Sequence, residues 1–258
     1  MTKPAPRPGR PRPERDRARR ESAREPAPGP PVLYGRNAVH EALRGPRAVR
    51  QVWATERAAR EPWLRSASVQ TVAAEEIERR CGSTDHQGIC AEVEEYRYAD
   101  ADALLAAPAA LIVALDEIQD PQNLGAICRT AECAGATGVV IPERRSAEVT
   151  PAVCKASAGA VEHLAIARVR NLADFLLDAS RAGAWSYGAA GDARVGYAQP
   201  DYGGKVVLVM GSEGSGLRPR VARSCDELIA LPLRGRIESL NVSAAAAAIL
   251  YEITRQRA

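Results

Sequence analysis

The chain has 258 residues, 46% of them hydrophobic and 26% charged, with a formal net charge of +3. These proportions exclude a collagen, a coiled-coil rod and a wholly disordered chain, and the length suits one large domain or two smaller ones at about 100 to 200 residues each. No apolar run reaches the roughly 18 to 20 residues of a membrane helix, and the N-terminus offers Arg and Pro where a secretory leader needs an apolar core. A cytoplasmic protein with no membrane partner is expected.

Residues 1–30 hold nine Lys or Arg against four Asp or Glu, so the other 228 residues carry a net charge of −2. Eight prolines in the same thirty residues remove amide donors and leave no apolar periodicity, which predicts a disordered basic tail. Such a tail is either an electrostatic arm for a polyanion such as RNA or a solubilising extension.

Residues 31–98 read as a small α/β unit. Ala38–Leu43 has helical spacing ended by Gly45-Pro46, Val49 to Trp53 predicts a strand, and Ala58 to Ala67 a helix interrupted by Pro62. Val69–Val72 follows as a strand, Ala74–Arg80 as a helix and Gly88–Val93 as a last strand. The Ala-rich stretch 99–108 reads as a linker with room for a helical turn.

From residue 109 the rhythm becomes regular. Continuous apolar strands (LIVAL, GVVI, HLAIARV, AWSYGAA, KVVLVM, ELIAL) alternate with helices at Asn123–Ala134, Thr150–Ala158, Leu172–Arg181 and Pro219–Cys225, and a long helix from Asn241 to Gln256 closes the chain. This pattern predicts an α/β domain over 109–258, with a mostly parallel sheet covered on both faces and a ligand at the carboxyl ends of its strands.

The six cysteines form no C-x-x-C pair, and Cys90, Cys128 and Cys133 sit in apolar segments, so reduced, buried thiols are expected. His40, His86 and His163 lie far apart without a second ligand at metal spacing, which argues against a zinc site.

Three segments place glycines or small polar residues directly after buried strands. In the first, Asn123 lies near a helix start, where its side chain can cap free amides. Arg129 lies about two turns on, on roughly the same face, with Glu132 spaced to pair with it. In the second, Val206–Met210 runs into Gly211-Ser212-Glu213-Gly214-Ser215-Gly216, where three glycines let backbone approach a ligand or simply make a turn. The G-x-x-G-x-G spacing is not that of a dinucleotide fold, so a nucleotide-dependent oxidoreductase is disfavoured. In the third, Ser239, Asn241 and Ser243 crowd one helix start before five alanines, Ala244 to Ala248.

Together these segments resemble the SpoU/TrmH family of the SPOUT superfamily, RNA ribose 2'-O-methyltransferases. The family's three motifs are matched by NLGAICRTAECAG (Asn123 to Gly135), LVMGSEGSGL (Leu208 to Leu217) and LPLRGRIESLNVSAAAAAILYE (Leu231 to Glu252). Upstream, VLYGRNAVHEAL and DHQGICAEV look like the substrate-binding domain of the subgroup that methylates guanosine in 23S ribosomal RNA, a small α/β domain similar to ribosomal protein L30e.

The resemblance implies a C-terminal domain with a deep trefoil knot, something periodicity alone does not suggest because true knots are nearly absent from proteins. It implies S-adenosylmethionine as methyl donor, held near Gly211, Leu231 and Leu240, and a homodimer with active sites at the subunit interface. No metal is implied. The catalytic set carried over is Asn123, Arg129, Glu213, Ser239 and Asn241.

A guanidinium stays protonated in proteins, so Arg129 is expected to bind phosphate and stabilise developing alkoxide charge rather than act as a base. Glu213 is expected to orient Arg129 or Asn123, and the base stays open. Arg36, Arg44, Arg47 and Arg50 are candidates for phosphate contact, or a solvated basic face. With only eleven aromatics in the chain, base-stacking modules are disfavoured. The expected activity is methylation of a guanosine ribose in 23S ribosomal RNA. A tRNA ribose methyltransferase and a non-catalytic RNA-binding assembly factor are the alternatives.

Overall fold

The computed structural model describes residues 29–237 and 239–258. The basic tail therefore falls almost wholly outside the described residues. Four strands, β1 (Val32–Tyr34), β2 (Val49–Ala54), β3 (Val69–Thr71) and β4 (Ile89–Val93), make one sheet in the order β1-β4-β2-β3. β4 runs antiparallel to β1 and β2, and β3 joins β2 in parallel. Helices α1 (Arg36–Arg44) and α2 (Ala74–Cys81) pack on this sheet. α1 buries Ala38, Val39 and Ala42, the one-sided spacing read from the sequence. The helix expected over 58–67 is instead two 3-10 turns, Ala58–Arg60 and Pro62–Leu64, because Pro62 has no amide to continue the ladder.

The stretch 99–108 is no loose tether. The Ala99 amide donates to the Ile166 carbonyl at 2.8 Å, and α3 (Ala101–Leu105) buries Leu104 and Leu105. β5 (Leu111–Asp116), β6 (Gly138–Pro142), β7 (Ile166–Val169), β8 (Ala184–Ala189), β9 (Val195–Gly196), β10 (Lys205–Gly211) and β11 (Glu227–Ala230) then form a second sheet, ordered β7-β6-β5-β10-β8-β11-β9. Every pairing in it is parallel.

Alternate residues of the central strands feed two cores. Leu111, Val113 and Leu115 point to α4 (Pro121–Cys133), α5 (Pro151–Ala156) and α8 (Val242–Arg257), meeting Leu124, Ile127, Ile249 and Ile253. Ile112, Ala114, Val207 and Val209 point the other way, to Phe175 and Leu176 of α6 (Leu172–Arg181) and Val221 of α7 (Pro219–Ser224). Burial on both faces is why these strands read as unbroken apolar runs.

At the end of the chain, space order departs from sequence order. β10 inserts between β5 and β8, β11 lies beyond β8, and the last segment returns to lay α8 against α4. Thr254 of α8 donates to the Ala134 carbonyl at 3.3 Å.

The two sheets are joined by polar contacts, one of them deeply buried. Arg47, before β2, pairs with Glu162, before β7, with side chains only 7% and 1% exposed, and Arg47 Nε donates to Glu162 Oε2 at 3.1 Å. Burial depresses the Arg47 guanidinium's pKa, but the hydrogen bond to Glu162 together with the charges of Cys154 and Glu162 outweighs it and leaves the value raised. Tyr96 Oη donates to the Leu164 carbonyl at 3.1 Å, and His163 Nε2 lies 2.8 Å from Glu41 Oε2.

Cys133 departs from the expected thiol pattern: it ends α4 on the exposed side, while Cys90, Cys128 and Cys154 are buried. Burial pushes the Cys128 thiol up to about 12 and the Cys154 thiol up to about 11. Among the described residues no group of three or more His, Cys, Asp or Glu is placed to hold a metal, and no helix is long and apolar enough to cross a membrane.

Candidate active site

The carboxyl ends of β8, β10 and β11 open into a cavity of about 260 Å³. Its floor is apolar, with Met210, Ile229, Leu231, Val242 and Ile249, and its rim is the loop Gly211–Gly216 together with Ser239 and Leu240. Gly211, Leu231 and Leu240 thus lie on one cavity, as does Glu213, the only ionisable side chain in the lining among the described residues.

The loop is a closed turn. Ser212 and Gly216 exchange backbone hydrogen bonds of 3.1 and 2.9 Å, and the Ser212 and Ser215 hydroxyls lie 2.7 Å apart. Gly214 and Gly216 adopt φ of +84° and +65°, where a Cβ is disfavoured. Gly211 is required for a different reason from close ligand approach: a Cβ there would lie 2.2 Å from the Gly216 carbonyl carbon, so the chain's own return excludes it.

Asn123 is not the cap of α4. Asp120 accepts from the Gln122 amide at 2.9 Å, leaving the Asn123 side chain free for longer-range contacts. Asn241 caps α8, its Oδ1 accepting from the Ser243 amide at 2.9 Å and the Ser243 hydroxyl at 2.6 Å. With that oxygen engaged, Asn241 offers its Nδ2, which donates to Asn123 Oδ1 at 2.9 Å. Asn123 Nδ2 is then turned to donate to Glu213 Oε2 at 3.3 Å. Ser243, which sequence reading left outside the catalytic set, is the anchor that orients both amides.

Arg129 stands apart. Six residues at 3.6 per turn carry it about 1.7 turns from Asn123, onto a different face rather than the same one. Asn123 is buried and Arg129 exposed. Arg129 lines a separate recess with Asn37, Arg44, Glu132 and His163, where the two sheets meet, and makes no ion pair with Glu132 or any other described residue.

The four arginines of the first unit differ in reach. Arg36 pairs with Glu61 at 2.8 Å, Arg44 with Glu41 at 3.2 Å and Arg50 with Glu92 at 3.9 Å, each with its side chain at least one third exposed. Arg47 does not fit a phosphate contact, because its guanidinium is buried against Glu162.

A second ion pair, buried at its carboxylate only, was also not anticipated. Asp116, 1% exposed at the end of β5, accepts from the Arg218 amide at 2.8 Å and from its Nε at 2.7 Å. The signal was available as a carboxylate ending an otherwise apolar strand.

Comparison with known proteins gives the same frame. Residues 110–251 match the family model described as the SpoU rRNA Methylase family, and residues 32–99 match the one described as RNA 2'-O ribose methyltransferase substrate binding. The chain is 39% identical over 239 residues to the Bacillus subtilis protein called putative TrmH family tRNA/rRNA methyltransferase YacO, covering 87% of this chain and 95% of that one. The crystal structure of the SpoU methyltransferase AviRb from Streptomyces viridochromogenes superposes with a TM-score of 0.74 at 26% identity, covering 89% and 90% of the two chains. The AdoMet-bound rRNA methyltransferase from Sinorhizobium meliloti gives 0.73 at 29% identity, covering 87% and 86%. By its two family matches and its full-length relatives, this chain belongs to the SpoU rRNA methylase family.

Proposed function

We propose that this protein methylates the 2'-hydroxyl of a ribose in RNA, using S-adenosylmethionine, and that its substrate is a guanosine of 23S ribosomal RNA in the cytoplasm. The observation that carries the reading is the Glu213–Asn123–Asn241 hydrogen-bond chain at the rim of the cavity. It brings one residue from each of the three sequence motifs to one place.

The cavity suits the donor chemically. An apolar floor receives an adenine, the loop backbone around Gly211 and Leu231 offers hydrogen bonds, and the Glu213 carboxylate has the sign that favours a cationic group. When bound there, S-adenosylmethionine supplies an electrophilic methyl. The protein's contribution is then placement of the sugar oxygen, worth up to about 7 to 11 kcal/mol in ideal cases. We assign Asn123 and Asn241 to hold Glu213 and the start of α8 at the rim, and Ser239 to the acceptor side of the cavity.

Arg129 lies outside its own subunit's cavity, and Leu233, Ile237, Leu240 and Tyr251 expose large apolar surface beside that cavity and on α8. Both observations support a homodimer in which Arg129 serves an active site at the interface, binding a phosphate and stabilising alkoxide charge. Residues 31–98 are assigned to RNA recognition and 109–258 to catalysis, with 99–108 joining them.

The 23S assignment rests on VLYGRNAVHEAL and DHQGICAEV in the first unit. The test is to delete the gene, map 2'-O-methyl groups in ribosomal and transfer RNA, and restore missing marks with purified protein. A guanosine mark lost from 23S RNA and restored supports the assignment. A mark lost only from tRNA replaces the substrate, and no lost mark in either RNA leaves the assembly-factor reading.

A further inference from the structure

Beside the cavity, on the same carboxyl edge of the large sheet, lies a second concavity of about 440 Å³. Its lining holds five arginines, Arg144, Arg145, Arg170, Arg218 and Arg220, against a single carboxylate, Glu117. The arginines arrive from three segments: the loop after β6, the end of β7, and the stretch entering α7. Because β5 and β10 are neighbours with Gly211 in register with Asp116, the two concavities adjoin. The Asp116–Arg218 pair fixes Arg218 at the end of β5.

Several arginines elsewhere on the surface are locally compensated. Arg79, Arg97, Arg181 and Arg255 each pair with a carboxylate three residues away. In this concavity Arg145 pairs with Glu117 at 3.6 Å and Arg220 with Asp174 at 2.6 Å. Arg144 and Arg170 are exposed and make neither ion pair nor side-chain hydrogen bond with any described residue. The ten-residue α6 begins beside them at Asn171, adding the positive end of a helix dipole. Since residues 31–258 are net acidic, this convergence is no reflection of average charge. Like charges gathered from three segments repel, and packing gives nothing back for two guanidiniums left in solvent.

We infer that this cleft binds phosphodiester groups of the RNA as it leaves the methylation cavity, Arg144 and Arg170 being the free contacts and Arg145, Arg218 and Arg220 the fixed rim. The inference deepens the RNA methyltransferase reading and rests on it. It adds to the large domain an RNA grip separate from the first unit. Guanidinium forks suit phosphate oxygens, and such contacts position a backbone without reading its sequence.

The test measures binding of a fluorescein-labelled RNA stem-loop by anisotropy across a salt series, for wild type, Arg144→Ala/Arg170→Ala and the control Arg181→Ala. Calorimetry with S-adenosylmethionine on each protein reports cavity integrity. The double variant should bind RNA at least tenfold more weakly at low salt, with a log–log salt slope shallower by about one unit per arginine removed, while donor binding stays unchanged. Arg181→Ala should behave as wild type. A double variant with wild-type affinity and slope overturns the cleft alone. Wild type that binds the donor but no RNA overturns the cleft and the RNA reading together.

Discussion

Asn241 donates a 2.9 Å hydrogen bond to Asn123 across 118 positions of sequence. The contact ties the start of the last helix to the first helix after β5, with Glu213 of the intervening loop held on Asn123's other side. Asn123→Ala removes both bonds and leaves polar partners at a half-buried site. Stability should fall by about 1 to 3 kcal/mol and turnover by about 10² through misplacement of the rim. Chemical denaturation and single-turnover methylation check the two effects, and unchanged turnover would detach the network from catalysis.

Arg129→Ala should leave S-adenosylmethionine affinity close to wild type, because the side chain lies outside the cavity of its own chain, while abolishing methylation. Calorimetry and a labelled-donor assay on the same preparation decide this. Lost donor affinity with normal turnover would contradict the assigned role.

The Arg47–Glu162 pair should matter to stability rather than RNA binding. Removing one partner strands a buried charge, so Arg47→Ala should cost about 3 to 5 kcal/mol. Arg50→Ala, on an exposed pair, should stay within about 0.5 kcal/mol. Denaturant midpoints give both values, and similar midpoints for the two variants would refute the buried anchor.

A pH dependence follows from Glu41, which links α1 to His163. Burial pushes its carboxyl pKa up, but the His163 hydrogen bond with Arg44, His40 and His163 charge outweighs this, and the net position is below the ordinary 4.5. A depressed folded value means the stabilisation is present above 4.5 and lost as pH falls through the folded value. Thermal midpoints should drop in that acid window, and less steeply in Glu41→Gln. Parallel curves for the two proteins would remove Glu41 from the effect.

Much of this fold was legible because both faces of the large sheet are covered. LIVAL, GVVI and KVVLVM announce buried parallel strands whatever surrounds them, and α6 over Leu172–Arg181 matches its apolar spacing residue for residue. β1 and β9 escaped notice because three and two residues are too few for alternation to register. At the site, sequence showed that Asn123, Glu213 and Asn241 were unusual but not that they meet, since that depends on a chain crossing without local signature. Spacing misled at Arg129, where 1.7 turns was taken for two. It misled again at Arg47 and Cys133, where burial was decided by neighbours distant in sequence.

The most direct test of the central claim is to incubate purified protein with methyl-labelled S-adenosylmethionine and ribosomal RNA from a deletion strain, then digest the RNA to nucleosides. The account predicts label in 2'-O-methylguanosine derived from 23S RNA, and none with Arg129→Ala. Label on a nucleobase, or no transfer by folded protein that binds the donor, would contradict it.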